Sequence, residues 1–426
     1  MGDTFSINVL TFKRDSYIIV EGKEDNRFFI IKEGKVLLSR ENEVVRERDG
    51  AVLQPGDFFG VVSALSQHPQ IETVRALTDV SLIAVPDSDF DDFIQLNTQV
   101  AMNIITQFSS RIRYLNKAFT QRTLNDTSET DEPDHLFDIG KYYDKTENFS
   151  HAFYAYRQYL RHCPEGANVA EAQARLDAVK QYAKSIPFTT DGNKRIYAAD
   201  TVLYAQGEPA SELYVIQSGA VKISKIVNNN EVILATLRAG DILGEMAILE
   251  SKPRSVTAVT VEVTSLISIN KANFANIVDT NPQIVGHLVK SLAERIWFTY
   301  RQLSNTHLMD PIARIYDVLL IQLEKAKVPL DLDGAYSFDF GLQDLISLVG
   351  IPESDVDKTF LKFTANPNIK IINDKIYAEQ VAALTKEANY YKSVDGRKKA
   401  FLQSKDNKPI EIPKITKPGD NDSSQL

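Results

Sequence analysis

The sequence predicts an α+β multidomain chain: two antiparallel β-rolls, a helical linker domain between them, and a C-terminal helix-turn-helix followed by a hairpin. Three observations predict it. A unit of alternating apolar and polar residues punctuated by glycines occurs twice, a helical pattern rich in Tyr and Phe separates the copies, and two short helical patterns with a hairpin follow the second copy. At 426 residues the chain exceeds what one hydrophobic core supports. Its 43% hydrophobic and 25% charged residues place it among globular proteins and exclude a wholly disordered or collagen-like chain.

The repeat is carried by residues 16–39, SYIIVEGKEDNRFFIIKEGKVLLS, and 201–224, TVLYAQGEPASELYVIQSGAVKIS, in which Gly22 matches Gly207 and Gly34 matches Gly219. Alternation with turns every eight to twelve residues, roughly, is the pattern of short antiparallel strands in a roll or barrel. Each copy continues through a Gly-Asp turn, Gly56-Asp57 or Gly240-Asp241, to Gly60 or Gly244, and ends in a helical pattern, Asp87 to Leu115 or Lys271 to Leu303. Residues 1–119 are therefore expected to form one domain. Polar, acidic residues 120–134 form a linker, 135–185 a helical segment, 186–284 the second roll and 285–309 a long helix.

In the helical segment, Leu136, Ile139, Gly140, Tyr143, Ala152, Tyr156 and Pro164 stand at the spacings of a single repeat of roughly 34 residues. This stretch resembles the tetratricopeptide family, with Tyr159 where a small residue is usual. One repeat cannot bury its own face, so a helix from Val169 to Lys184 is expected to cover it and the segment to act as a spacer. Residues 310–390 read as a helix over Asp310 to Lys325, a helix-turn-helix over Leu342 to Val349 and Glu353 to Phe363, and a wing over Ile369 to Ile372 and Lys375 to Ala378. Pro352 suits a first helical position. Residues 391–426, rich in Lys, Pro, Asp and Ser, are expected to be disordered.

The chemistry concentrates in residues 244–258, Gly-Glu-Met-Ala-Ile-Leu-Glu-Ser-Lys-Pro-Arg-Ser-Val-Thr-Ala. A glycine opening a short helix offers backbone amides and a favourable dipole to an anion. Glu245 can accept from a ribose hydroxyl, Arg254 offers a donor fork to two phosphate oxygens, and Ser255 adds a donor. This stretch resembles the phosphate-binding cassette of cyclic-nucleotide-binding domains, and residues 190–385 resemble the cyclic AMP receptor protein/fumarate-nitrate regulator (Crp/Fnr) family, with Val256 where alanine is usual. The resemblance implies a cyclic AMP-like ligand held by Gly244, Glu245, Met246, Ala247, Arg254 and Ser255, with Thr299 of the long helix at the adenine amino group. It also implies a homodimer through that helix. In the first copy Val61 and Gln70 stand where Glu245 and Arg254 stand in the second, so no phosphate site is expected there.

The expected function is a cyclic-nucleotide-responsive regulator of Crp/Fnr type with a winged-helix output, in transcription regulation. The alternative is a signalling adaptor that senses the nucleotide but acts through protein contacts, with the helical repeat as one contact surface. For DNA, the resemblance places Ser354, Lys358 and Lys362 on the second helix of the motif and Lys370 and Lys375 on the wing. Electrostatics opposes strong binding: Tyr336 to Tyr390 holds five Lys or Arg against eight Asp or Glu, a net of −3. Six scattered histidines and no paired-carboxylate or nucleophile spacing predict no enzyme, no catalytic residues, no metal and no cofactor beyond the nucleotide. One cysteine, Cys163, excludes an internal disulfide or iron-sulfur cluster and reads as a buried structural thiol. No leader and no apolar run near the roughly 20 residues of a membrane helix predict a cytoplasmic chain with no membrane partner.

Overall fold

Glycine-punctuated alternation produces short antiparallel strands in both repeats. A computed structural model of the chain describes residues 8–40, 51–124, 132–182, 189–227, 229–280, 282–351 and 353–406. In the first repeat, Asn8–Phe12, Val80–Pro86, Arg27–Glu33 and Phe58–Phe59 pair in that order in one sheet. Tyr17–Ile19, Thr73–Ala76, Val36–Ser39 and Val52–Leu53 pair in a second. The second repeat repeats this order: Ile242–Leu243, Glu212–Ser218, Thr264–Asn270 and Lys194–Tyr197, with Thr189–Asp191 added at the edge, and Val202–Tyr204, Thr257–Thr260, Ala220–Val227 and Asn230–Arg238. Inward positions of the first roll, such as Phe29, Ile31, Val36, Val74 and Leu82, form its core. Burial of each such side chain contributes about 1.5 to 3 kcal/mol.

Helices follow in chain order. The first roll carries α1 (Val61–Ser66), α2 (Phe90–Leu96) and α3 (Thr98–Leu124). Between the rolls lie α4 (His135–Lys145), α5 (Phe149–His162) and α6 (Val169–Val179). The second roll carries α7 (Glu245–Glu250), α8 (Lys271–Thr280) and α9 (Pro282–Asn305). The C-terminal unit holds α10 (Pro311–Lys325), α11 (Leu342–Val349), α12 (Glu353–Thr364) and α13 (Val381–Asp406). The first expected long helix is broken at Asn97, whose φ of −140° ends α2 before α3 restarts.

The seam of α9 meets α3. On α3, Ala101, Ile105, Phe108, Ile112, Leu115 and Phe119 recur in steps of four and three, and on α9 so do Val285, Val289, Leu292, Ile296, Thr299 and Leu303. All twelve are at most 6% exposed, and the apolar members belong to one core cluster. This is coiled-coil spacing satisfied within one chain. The face of α9 through which the sequence-based expectation places a homodimer is covered, within this chain, by α3 of the first repeat.

Helices α4 to α6 lie on the outer sheet of the second roll, where Val202, Ala205, Ile226 and Val259 join the cluster of Leu136, Tyr143 and Tyr156. Helices α4 and α5 approach closely at Gly140, where a Cβ would press within 2.5 Å of the Tyr156 ring. Cys163 is half-buried rather than buried, and burial together with Asp134 pushes its thiol up to about 11. In the C-terminal unit, Asp310 caps α10 by accepting from Ile312 N at 3.2 Å. Ile369–Ile372 and Lys375–Ala378 form a hairpin through Asn373 and Asp374, both at positive φ. The expected disordered tail is corrected as far as residue 406. Helix α13 runs through it because Lys392 pairs with Asp317 and Asp395 accepts from Met309 N and Asp310 N at 2.7 and 3.1 Å. Of the expected linker, residues 120–124 belong to α3. The remainder of the tail, most of the remaining linker and Pro352 lie outside the described residues.

Candidate functional site

The second roll builds its site on the turn from Ile242–Leu243 into α7. Gly244 has φ +81°, a region that favours glycine, and a Cβ there would collide with the Arg254 guanidinium. Helix α7 ends on Ser251, again left-handed, and the chain returns through Pro253 to Arg254. Gly207 N donates to Arg254 O at 2.8 Å and Arg254 N to Glu208 O at 2.9 Å, so the arginine backbone is pinned to the roll. The Glu208 carboxylate in turn accepts from Tyr154 Oη of α5 at 2.9 Å. The helical segment thus braces the loop that holds Arg254, a contact no motif in the sequence announces.

Sequence-predicted residues converge here. Arg254, 4% exposed, donates Nη1 to Gly244 O at 2.9 Å and Nη2 to Glu212 O at 2.7 Å, and its guanidinium carbon lies 4.2 Å from the Tyr204 ring centroid. Its Nε has no partner among the described residues, nor do Ser255 Oγ and Glu245 Oε2, although all three are buried. Met246 and Ala247 are buried in the same turn. Three orphaned polar atoms of opposite character, at the start of α7 and on the loop that follows it, fit a ligand that carries both an anion and a hydroxyl donor. Glu245 is fully buried, which pushes its carboxyl above the usual carboxylate range against the pull of nearby guanidinium groups. The nearest of these is Arg295 of α9, 3.4 Å from Oε1, a site residue that sequence reasoning missed. Its signal was present: Arg295 stands one helical turn before Thr299. Thr299 is buried and its hydroxyl donates to Arg295 O at 2.7 Å.

The first roll keeps the loop and changes its chemistry. Gly60 and Gln67 repeat the left-handed turns, but Gln70 donates Nε2 to Asp25 O at 3.1 Å and Val61 fills the Glu245 position. Glu72, buried, lies 3.3 Å from Arg40 and 3.5 Å from Arg111, and the Arg40 guanidinium sits over the Tyr300 ring of α9. The cations of this roll face a carboxylate of the protein itself.

On the C-terminal unit, Ser354, Lys358 and Lys362 of α12 are exposed, and Lys362 Nζ lies 4.7 Å from the Tyr391 ring centroid. Both wing lysines are ion-paired, Lys370 with Glu379 and Lys375 with Asp339 at 3.4 Å. Leu361, 75% exposed, shares the open face with Asp357 and Lys358, and Ile371 and Ile372 are exposed on the hairpin. Among the described residues no group of three or more His, Cys, Asp or Glu could hold a metal, and no helix is long and apolar enough to cross a membrane.

Residues 9–97 and 194–281 each match the family model of the cyclic nucleotide-binding domain, so the chain carries two copies of that domain. Its relatives are Crp-type regulators. It is 24% identical over 187 residues to the CRP-like cAMP-activated global transcriptional regulator of Mycobacterium tuberculosis, covering 44% of this chain and 84% of that protein. It is 27% identical over 184 residues to the cAMP-activated global transcriptional regulator CRP of Haemophilus influenzae, covering 43% and 81%. Among solved structures, the c-di-GMP-responsive global regulator CLP of Xanthomonas campestris aligns over 44% of this chain and 93% of its own at 24% identity, with a TM-score of 0.38.

Proposed function

We propose that the chain is a cyclic-nucleotide-responsive regulator of Crp/Fnr type that binds one cyclic AMP-like ligand in the second roll and couples it to the C-terminal unit, in transcription regulation. The observation that carries the reading is the set of orphaned buried atoms, Glu245 Oε2, Arg254 Nε and Ser255 Oγ, beside the left-handed turn at Gly244. In this reading a phosphate takes the Arg254 and Ser255 donors, the ribose hydroxyl donates to Glu245, and Thr299 lies at the base. Coupling runs through two contacts. Helix α11 rests on strand Asn230–Arg238, whose Ile233 belongs to the apolar cluster of the C-terminal unit, and Arg301 of α9 forms a bidentate pair with buried Asp317 of α10 at 2.8 and 3.1 Å.

The adaptor reading is favoured by one observation, the neutralised wing. With Lys370 and Lys375 paired to carboxylates and Leu361, Ile371 and Ile372 exposed, the face expected to meet DNA sets apolar groups and Asp357 beside Lys358. Isothermal titration of cyclic AMP into the full chain tests the pocket. Selection of bound genomic fragments at saturating nucleotide tests the output: a recurring sequence supports transcription regulation, and no enrichment supports the adaptor.

A further inference from the structure

Aligning the repeats so that Gly60 pairs with Gly244 also pairs Pro69 with Pro253, Arg113 with Trp297 and Asn116 with Tyr300. The structure obeys this pairing across the α3/α9 seam. Trp297 of α9 donates Nε1 to Pro69 O in the first roll at 3.0 Å, and Arg113 of α3 places its guanidinium on Pro253 O in the second at 3.4 and 3.5 Å. Each helix therefore reaches the binding loop of the other roll.

The two crossings have different outcomes. Into the first roll, α9 sends Tyr300, which lies under Arg40 and approaches Glu21 at 3.5 Å, while Trp297 stacks on His68 with centroids 4.0 Å apart. Aromatic rings and the Arg40–Glu72–Arg111 cluster fill that side. Into the second roll, α3 sends Arg113, which bridges Pro253 O, one residue before Arg254, and the Glu250 carboxylate at the end of α7, 3.0 Å away. One turn further on α3 stands Asn116, 3% exposed, with an amide Nδ2 that has no partner among the described residues.

We propose that the first repeat is a built-in second subunit: it binds no nucleotide, and its helix α3 completes the site of the second roll. Arg113 is a positioning residue that clamps both ends of the loop carrying Arg254. Asn116 stands on the face that the internal symmetry directs at the second pocket, where its free amide donates to the base of the ligand. Because α3 covers the seam of α9, the chain works as a monomer with one ligand and one output unit. This rests on the reading that the second roll holds the nucleotide.

The test uses the full chain, with light-scattering mass and cyclic AMP titration for the unsubstituted protein and for Asn116→Ala and Arg113→Gln. The expected mass is that of one chain with and without cyclic AMP, and each substitution weakens cyclic AMP about tenfold, as loss of about 1.4 kcal/mol requires. Among the described residues the Asn116 side chain makes no hydrogen bond, so in Asn116→Ala the melting temperature stays unchanged while the affinity falls, which a merely structural role would not produce. A dimer at saturating cyclic AMP overturns the built-in subunit, and affinities within twofold of the parent in both variants overturn the role of α3. Failure of the unsubstituted chain to bind cyclic AMP overturns the pocket reading itself.

Discussion

Replacing Arg254 by Leu separates the phosphate role of this residue from its structural one. The guanidinium makes two charge-assisted hydrogen bonds to the carbonyls of Gly244 and Glu212, at 2.9 and 2.7 Å, and lies over Tyr204. Bonds of this kind contribute about 1.5 to 3 kcal/mol each, so the ligand-free chain loses about 3 kcal/mol or more of stability. The affinity loss is distinct. An anion left in a closed pocket without its cation costs about 2 to 5 kcal/mol, or roughly 30- to 4,000-fold in Kd. Titration with cyclic AMP, paired with denaturant unfolding of the ligand-free variant, measures both. Gln70→Leu in the first roll is the matched control, with affinity and stoichiometry unchanged. A stoichiometry of two per chain, or affinity surviving the loss of Arg254, would refute the assignment of the second roll as the sole site.

Further outcomes follow from the same geometry. Thr299→Ala is expected to narrow the preference for cyclic AMP over cyclic GMP, measured as the ratio of their dissociation constants; equal affinities in the parent chain remove Thr299 from the base site. The Glu245 carboxyl is raised by burial, so between its unfolded and folded pKa the folded chain holds a proton the unfolded chain lacks. Its contribution to stability is complete below the ordinary carboxylate pKa and is lost as pH rises through the raised value. Urea midpoints of the ligand-free chain across that window should fall with pH, and Glu245→Gln should flatten the slope. Tyr154→Phe strips a partner from the buried Glu208 carboxylate, at a cost of about 1 to 3 kcal/mol in thermal unfolding; an unchanged melt would show that α5 does not brace the Arg254 loop. Releasing the wing lysines by Asp339→Asn with Glu379→Gln should strengthen DNA binding and steepen its salt dependence, whereas an unchanged salt slope would count against any phosphate contact at Lys370 and Lys375.

The sequence by itself determined the two rolls, because strand alternation and glycine turns are local and recur in the same order at a nearly constant offset. It also brought Gly244, Glu245, Arg254 and Ser255 to notice, since one short contiguous loop contains them all, and it marked Val61 and Gln70 as the change in the first copy. Tertiary structure decided what lies across from that loop. Arg295 enters the site from α9, Arg113 reaches it from the other repeat, and Tyr154 braces it from the helical segment; each contact joins residues far apart in the chain, whose pairing no local pattern encodes. The packing of α9 on α3 lay beyond the sequence for the same reason. A heptad seam specifies that a second helix packs there but not whose helix it is, and an equally spaced seam on α3, tethered in the same chain, satisfies it at a far higher effective concentration than a second molecule can supply.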